Sequence, residues 1–426
     1  MGNEVEDCEV GPLKPGCFMR RARSSSSRPK FLASVCLLVL FGPALCAGRT
    51  PRQDPETGRL RILYIGTAFW GTSPGRILLL DPKIDPTLVP IITVWYTDEE
   101  NARYMRLYMP KNYDDLVENK DLIHLAGVDA AMITPRWQND FTRAVTQDGL
   151  SLLMTDGHRG FGGASAQQGE WKGTRIEQEV LPVYVYTGEF VEGPILIRVL
   201  ASDDPLMRSL PWGTAPPLNS LNKLTAKEGA IVLADDGKKG YPVLAYWDLG
   251  KGMAMIFATD LHGYYSERWV KEWGYWYDFV LNLEYYSCGV DVPTDPEIMH
   301  LIRNSFSEYA HRVALLRDMM GFIEKFGART AAIEEGMSTV EDERAEANAL
   351  YLEQSYQEAL DHYTSVLKAM RDLELKALRL KDNALRWIYL SEWLAVSGVL
   401  MICGVVLWAL MVQRKLYREI ATTRTG

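Results

Sequence analysis

Three hydrophobic patterns follow one another along the chain. Residues 60–68 (LRILYIGTA) form an unbroken apolar run after Gly58, as in a strand buried on both faces. Segments 89–96, 122–133, 151–155, 183–186, 231–234, 243–247 and 253–259 predict further strands. Between them lie helical stretches, such as 135–147, which opens on Thr134 as N-cap with Pro135 in the first helical position. Strands alternating with helices predict an α/β domain with a mostly parallel sheet over residues 59–292. Ligand sites in such sheets form at the carboxyl ends of the strands, so the turns after the strands are the places to look for chemistry.

Past Pro293 and Pro296 the pattern becomes helical, with no further proline. Ile298, Leu301, Ile302, Phe306, Tyr309, Val313, Leu316, Met320 and Ile323 make one stripe of a helix expected to stop near Gly327. A second helix is predicted over 328–353 with a break at Gly336, and a third starts at a Ser355–Glu358 capping box. Residues 347–363 resemble one tetratricopeptide-type hairpin, too little to stack into a solenoid. The region 293–390 therefore reads as a helical stalk, an antiparallel bundle or coiled coil.

The third pattern is a run without charge from Leu394 to Val412, about 28 Å long as a helix and enough for a bilayer core. Trp387, Tyr389, Trp393 and Trp408 stand near its edges as interfacial aromatics do. Arg414, Lys415, Arg418 and Arg424 place the tail, 413–426, in the cytoplasm by the positive-inside rule, against an opposing bias from Arg379, Lys381 and Arg386. Near the start, five basic residues between Arg20 and Lys30 precede an apolar run over 31–47, the pattern of a secretory signal within 1–46 that is either cleaved after Cys46 or retained as an anchor. Both outcomes put the body outside. The expected layout is leader 1–46, linker 47–58, α/β domain 59–292, stalk 293–390, transmembrane helix 391–412 and basic tail 413–426. That is a single-pass cell-membrane protein with its main domain extracytoplasmic. Its expected partners are the bilayer and, through the stalk, a membrane or surface protein or a second copy of itself.

Composition narrows the chemistry. The 426 residues are 47% hydrophobic and 24% charged with a net charge of -9, which excludes a disordered chain and gives no concentrated basic surface for nucleic acid. Of six cysteines, Cys8, Cys17, Cys36 and Cys46 precede the expected mature start and Cys403 lies in the apolar run. Cys288 alone falls in the domain, which rules out a disulfide framework or a multi-thiolate site. No cofactor or resident metal is expected.

Three turns stand out: Phe69-Trp70-Gly71, then 156–163 (DGHRGFGG), then Asp260-Leu261-His262-Gly263. The middle one could cradle an anion or carbonyl oxygen with the amides of Gly157, Gly160, Gly162 and Gly163 and with Arg159, or its glycines could simply serve a tight turn. Asp156, His158, Asp260, His262 and Glu267 could form an acid/base or metal-binding set. The carboxylates could equally cap the turns that follow them. Trp269, Trp273, Trp276, Val280 and Leu283 recur at helical spacing and read as a buried helix face.

The blocks SLLMTDGHRGFGG and VLAYWDLGKGMAMIFATDLHG, with the aromatic helix after them, resemble the class I glutamine amidotransferase-like superfamily, more narrowly its group of uncharacterised, membrane-associated members. The resemblance implies a flavodoxin-like three-layer sandwich, a nucleophilic Cys on the turn after a central strand, and a His followed by Glu after a late strand. This chain departs from that pattern. Asp156-Gly157-His158-Arg159 stands where the Cys would fall, and Glu267 follows His262 at an unusual spacing. Amide transfer needs a thiolate to attack glutamine. The expectation is thus a catalytically degenerate domain used for binding, assembly or sensing, with a hydrolase or metal-dependent enzyme built on the Asp/His set as the alternative.

Overall fold

The computed structural model describes residues 51–423, apart from 70–72, 92–95, 158, 164–169 and 327–328. The leader with its signal segment, Trp70-Gly71 and His158 lie outside the described residues.

Ten strands form two sheets: β1 (Leu60–Gly66), β2 (Ile84–Pro90), β3 (Leu122–Ala126), β4 (Ser151–Thr155), β5 (Val183–Ile195), β6 (Arg198–Val199), β7 (Leu218–Ala226), β8 (Ile231–Asp235), β9 (Pro242–Leu249) and β10 (Gly252–Phe257). The main sheet runs β2-β1-β3-β4-β10-β9-β8-β6, and β5 and β7 pair separately. Five strands, β2 to β10 in that order, are parallel; β9, β8 and β6 continue the sheet antiparallel. The reversal occurs at the tight turn between β9 and β10, where Gly250 adopts φ +65°, a left-handed conformation that glycine reaches without strain. Every residue of β3, β4 and β10 is buried, so both faces of the central sheet are covered, as in a three-layer sandwich.

Register decides what meets at the strand ends. Gly66 lies beside Ala126, Ala126 beside Thr155, and Thr155 beside Phe257. The next residues, Thr67, Gly127, Asp156 and Ala258, therefore leave the sheet side by side. Because the chain goes from β1 outward to β2 and then back past β1 to β3, the order reverses between β1 and β3, where open α/β sheets leave a crevice.

The helices are α1 (Gly75–Leu78), α2 (Asp98–Tyr108), α3 (Tyr113–Asn119), α4 (Pro135–Arg143), α5 (Arg175–Glu179), α6 (Pro205–Arg208), α7 (Glu267–Glu272), α8 (Trp276–Ser287), α9 (Pro296–Lys325), α10 (Ala331–Leu352) and α11 (Tyr356–Thr423). Thr134 caps α4 through Trp137 N, as expected, and a π turn over Ala144–Asp148 extends it. The aromatic stripe is buried but split across two helices: Trp269 in α7, Trp276, Val280 and Leu283 in α8, and Trp273 at the break.

α8 is buried at every position except Tyr277, because it is covered on both sides. Toward the sheet, Glu284 meets His124 of β3. Toward the helical region, Arg303 of α9 donates to Asp278 and Asn282, and the Tyr285 hydroxyl meets Asp81 and Tyr351 of α10. α10 runs unbroken through Gly336, where the side chain of Leu373 fills the space a Cβ would need, at 2.4 Å. α11 buries Ala359, Tyr363, Val366, Met370, Leu373 and Ala377 at three- and four-residue intervals, the packing stripe of a helical bundle. Beyond Ala384 no described residue of α11 is buried, and this stretch is long and apolar enough to cross a bilayer.

Candidate functional site

The site is built on the row of strand ends. Asp156, directly after β4, is buried; its Oδ1 accepts from Gly157 N at 2.6 Å and its Oδ2 from Arg159 N at 2.8 Å. Burial pushes the Asp156 carboxyl from an ordinary 3.8 up to about 6, with His262 opposing the rise and the Asp260 charge adding to it. The carboxyl thus sits near the range where it exchanges protons at neutral pH.

Asp260, beyond β10, is a loop organiser. Its Oδ1 accepts from Gly263 N and from the Ser266 hydroxyl, and its Oδ2 from Tyr264 N and Tyr265 N. Those bonds fold the loop so that His262 Nε2 comes 3.7 Å from Asp260 Oδ2. Asp260 and His262 thus sit together, with Asp156 close enough to feel the charge of both. Glu267 is not among them: it starts α7, pairs with Lys271 one turn on, and its side chain is 48% exposed. Among the described residues no three His, Cys, Asp or Glu side chains gather as a metal site.

The glycines of the turn are explained mainly by close approach. A Cβ on Gly157 would sit 1.8 Å from the Tyr265 ring, on Gly160 2.5 Å from Asp156 Cβ, and on Gly162 1.8 Å from Tyr186 O. Gly163 is the one with positive φ, two residues after Phe161, itself at φ +51°. The amides of Gly157 and Arg159 serve Asp156, and Gly163 N donates to Gly160 O, so two of the four candidate glycine amides, and that of Arg159, are engaged within the turn. The Arg159 guanidinium is 3.1 Å from Asp129.

Two further parts of the site were missed in the sequence. Asn222 of β7 directs its side-chain amide at the carbonyls of Asp156, Gly157 and Ala258, tying the β4 and β10 turns together. Beneath them, His124 Nδ1 lies 2.6 Å from Glu284 Oε1 and His124 Nε2 lies 2.8 Å from Thr155 Oγ1, all three buried. The order hydroxyl, imidazole, carboxylate is that of a nucleophilic triad. Its complete burial instead makes it a polar strut joining β3, β4 and α8, with the Tyr64 ring edge-on to His124. No local signal announces it, since Glu284 follows His124 by 160 residues.

Residues 115–286 match the family described as GATase1_like, "Putative glutamine amidotransferase". This stretch is thus similar to a glutamine amidotransferase domain. Among solved structures the chain is similar to the cytoplasmic protein STM3548 from Salmonella typhimurium, at 19% identity and TM-score 0.44, covering 54% of this chain and 99% of that one. A second such protein, STM1381 from Salmonella typhimurium LT2, gives 22% identity and TM-score 0.45 over 54% and 99%. The exo-beta-1,4-mannosidase Op5Man5 from Opitutaceae bacterium strain TAV5 gives 12% identity and TM-score 0.31 over 54% of this chain and 36% of that one. No curated protein matches the chain. Cys288, buried, follows α8 two residues past the matched stretch.

Proposed function

We propose that the protein is anchored by α11 with its amidotransferase-like domain outside the cell, and that this domain binds, assembles or senses and does not transfer amide nitrogen. The layout that goes with this reading is a leader over 1–46, a linker over 47–58, the domain over 59–292, a stalk over 293–390, a span over 391–412 and a cytoplasmic tail over 413–426. The observation that carries the reading is Asp156. On the turn after β4, where amide transfer calls for a thiolate, stands a buried carboxyl held by the amides of its own turn. The packed α9, α10 and α11 offer the surface for a protein partner or a second copy.

The test is ammonia release from glutamine by the full chain in lipid nanodiscs. None above a protein-free blank is expected. Release that disappears in both Asp156→Ala and His262→Ala would overturn the reading.

A second reading, a hydrolase using Asp156 and His262, rests on the Asp156 carboxyl raised to about 6 within electrostatic reach of His262. It requires ester or amide hydrolysis whose pH profile changes in Asp156→Asn. A rate that follows hydroxide alone, with wild type and variant alike, removes it.

A further inference from the structure

Away from the strand-end site, a cavity of about 840 Å³ opens between α2, α3 and the start of α4, over Thr87 of β2. Its volume is that of a small-molecule pocket. Lys120, just past α3, supplies its most unusual group. The ammonium donates to the neutral Thr87 hydroxyl at 2.5 Å. Among the described residues it makes no ion pair. Burial lowers its pKa, while the charges of Asp85, Asp115 and Asp121 oppose that and Arg61 adds to it. Asp115 is committed elsewhere, accepting from Lys111 N at 2.7 Å and from the Asn119 side chain at 2.7 Å.

The rest of the lining has two characters. Arg106 and Lys111 bring further positive charge against Asp98 and Asp115, while Arg136 is paired with Asp140 at 3.6 Å, leaving a small positive excess on the wall. Met105, Met132 and Trp137 supply an apolar, adaptable surface. A partly desolvated ammonium with carboxylates nearby but none in direct contact gains from an anion that reaches it directly. An apolar body on that anion would cover the methionines and the indole.

We propose that this cavity is a binding site for a small organic carboxylate with an apolar or aromatic body, its carboxylate on Lys120 and its body against Met105, Met132 and Trp137. The site is separate from the Asp156 turn and does not depend on whether that turn has any activity.

The experiment is isothermal titration of the full chain in nanodiscs with benzoate and, in parallel, with uncharged benzyl alcohol. Benzoate should bind at least about ten-fold more tightly than the alcohol. Lys120→Met, which keeps the stem but not the charge, should remove that difference, and Lys120→Arg should keep it. No benzoate binding, or equal binding by wild type and Lys120→Met, would overturn the proposal. Should Lys120→Met fail to fold, reductive methylation of the wild-type lysines decides instead. Benzoate must slow methylation of Lys120 and leave exposed Lys238 unchanged; equal slowing of both, or of neither, rejects the site.

Discussion

At the scale of single residues, Asp156 makes stability depend on pH in an unusual direction. Because its carboxyl is raised toward 6, the folded chain holds the proton more firmly than the unfolded chain does. Its contribution is complete below about pH 4, is lost as pH rises through about 6, and stays lost above. Two pH units correspond to about 3 kcal/mol. Denaturant titrations at pH 4 and pH 7 should therefore show wild type losing about that much more than Asp156→Asn. The glycines give a steric prediction. Gly162→Ala would press a methyl into the Tyr186 carbonyl, and a loss of about 1–3 kcal/mol is expected from thermal or denaturant unfolding. Gly173 has open space around it but φ +76°, so alanine there should cost only what the backbone conformation costs, about 1 kcal/mol.

At the scale of elements, α8 is held by side chains from both the sheet and the helical region. Tyr351→Phe removes the hydroxyl that lies 3.0 Å from Asp81 Oδ2 and 2.9 Å from the Tyr285 hydroxyl. About 1 kcal/mol should be lost, and hydrogen exchange should quicken in α10 before it does in β3 or β4. The same scale shows what the sequence disclosed. Strands β3, β4 and β10 are mostly apolar runs and could be recognised directly, as could the Thr134-Pro135 start of α4, although the expected segment 122–133 runs past the end of β3 at Ala126. β7 could not, because LNSLNKLTA interrupts its apolar positions with Asn, Ser and Lys, and Asn222 proves to be the residue that bridges the two turns. The gathering of Asp156, Asp260 and His262 was foreseeable because all three follow strands. Glu267 looked like a member through proximity in sequence, yet it begins a helix that turns it toward Lys271. His124 and Glu284 were invisible because their pairing is made by the fold and not by spacing.

At the scale of the whole molecule, α11 joins packed bundle and candidate span in one uninterrupted helix from Tyr356 to Thr423. Its exposed apolar part calls for lipid or detergent. In detergent phase separation the full chain should enter the detergent phase, and a chain ending at Ser391 should remain in the aqueous phase. Equal partition of the two would mean that the apolar run is covered by something other than a bilayer.

The two-sided burial of α8 also bears on where the molecule can be divided. A cut after residue 292 looks natural in the sequence, between a sheet-bearing half and a helical half. It would strip α9 and α10 from α8, put Asp278, Asn282 and Tyr285 into water, and take Arg303 away from the carboxylate it faces. Evolution, or an experimenter, exchanging the helical half for another would have to remake that buried contact as well as the connection. The helical half is therefore part of what holds the strand-end turns in place: it presses on α8, α8 carries Glu284, and Glu284 holds His124 against the residue that precedes Asp156.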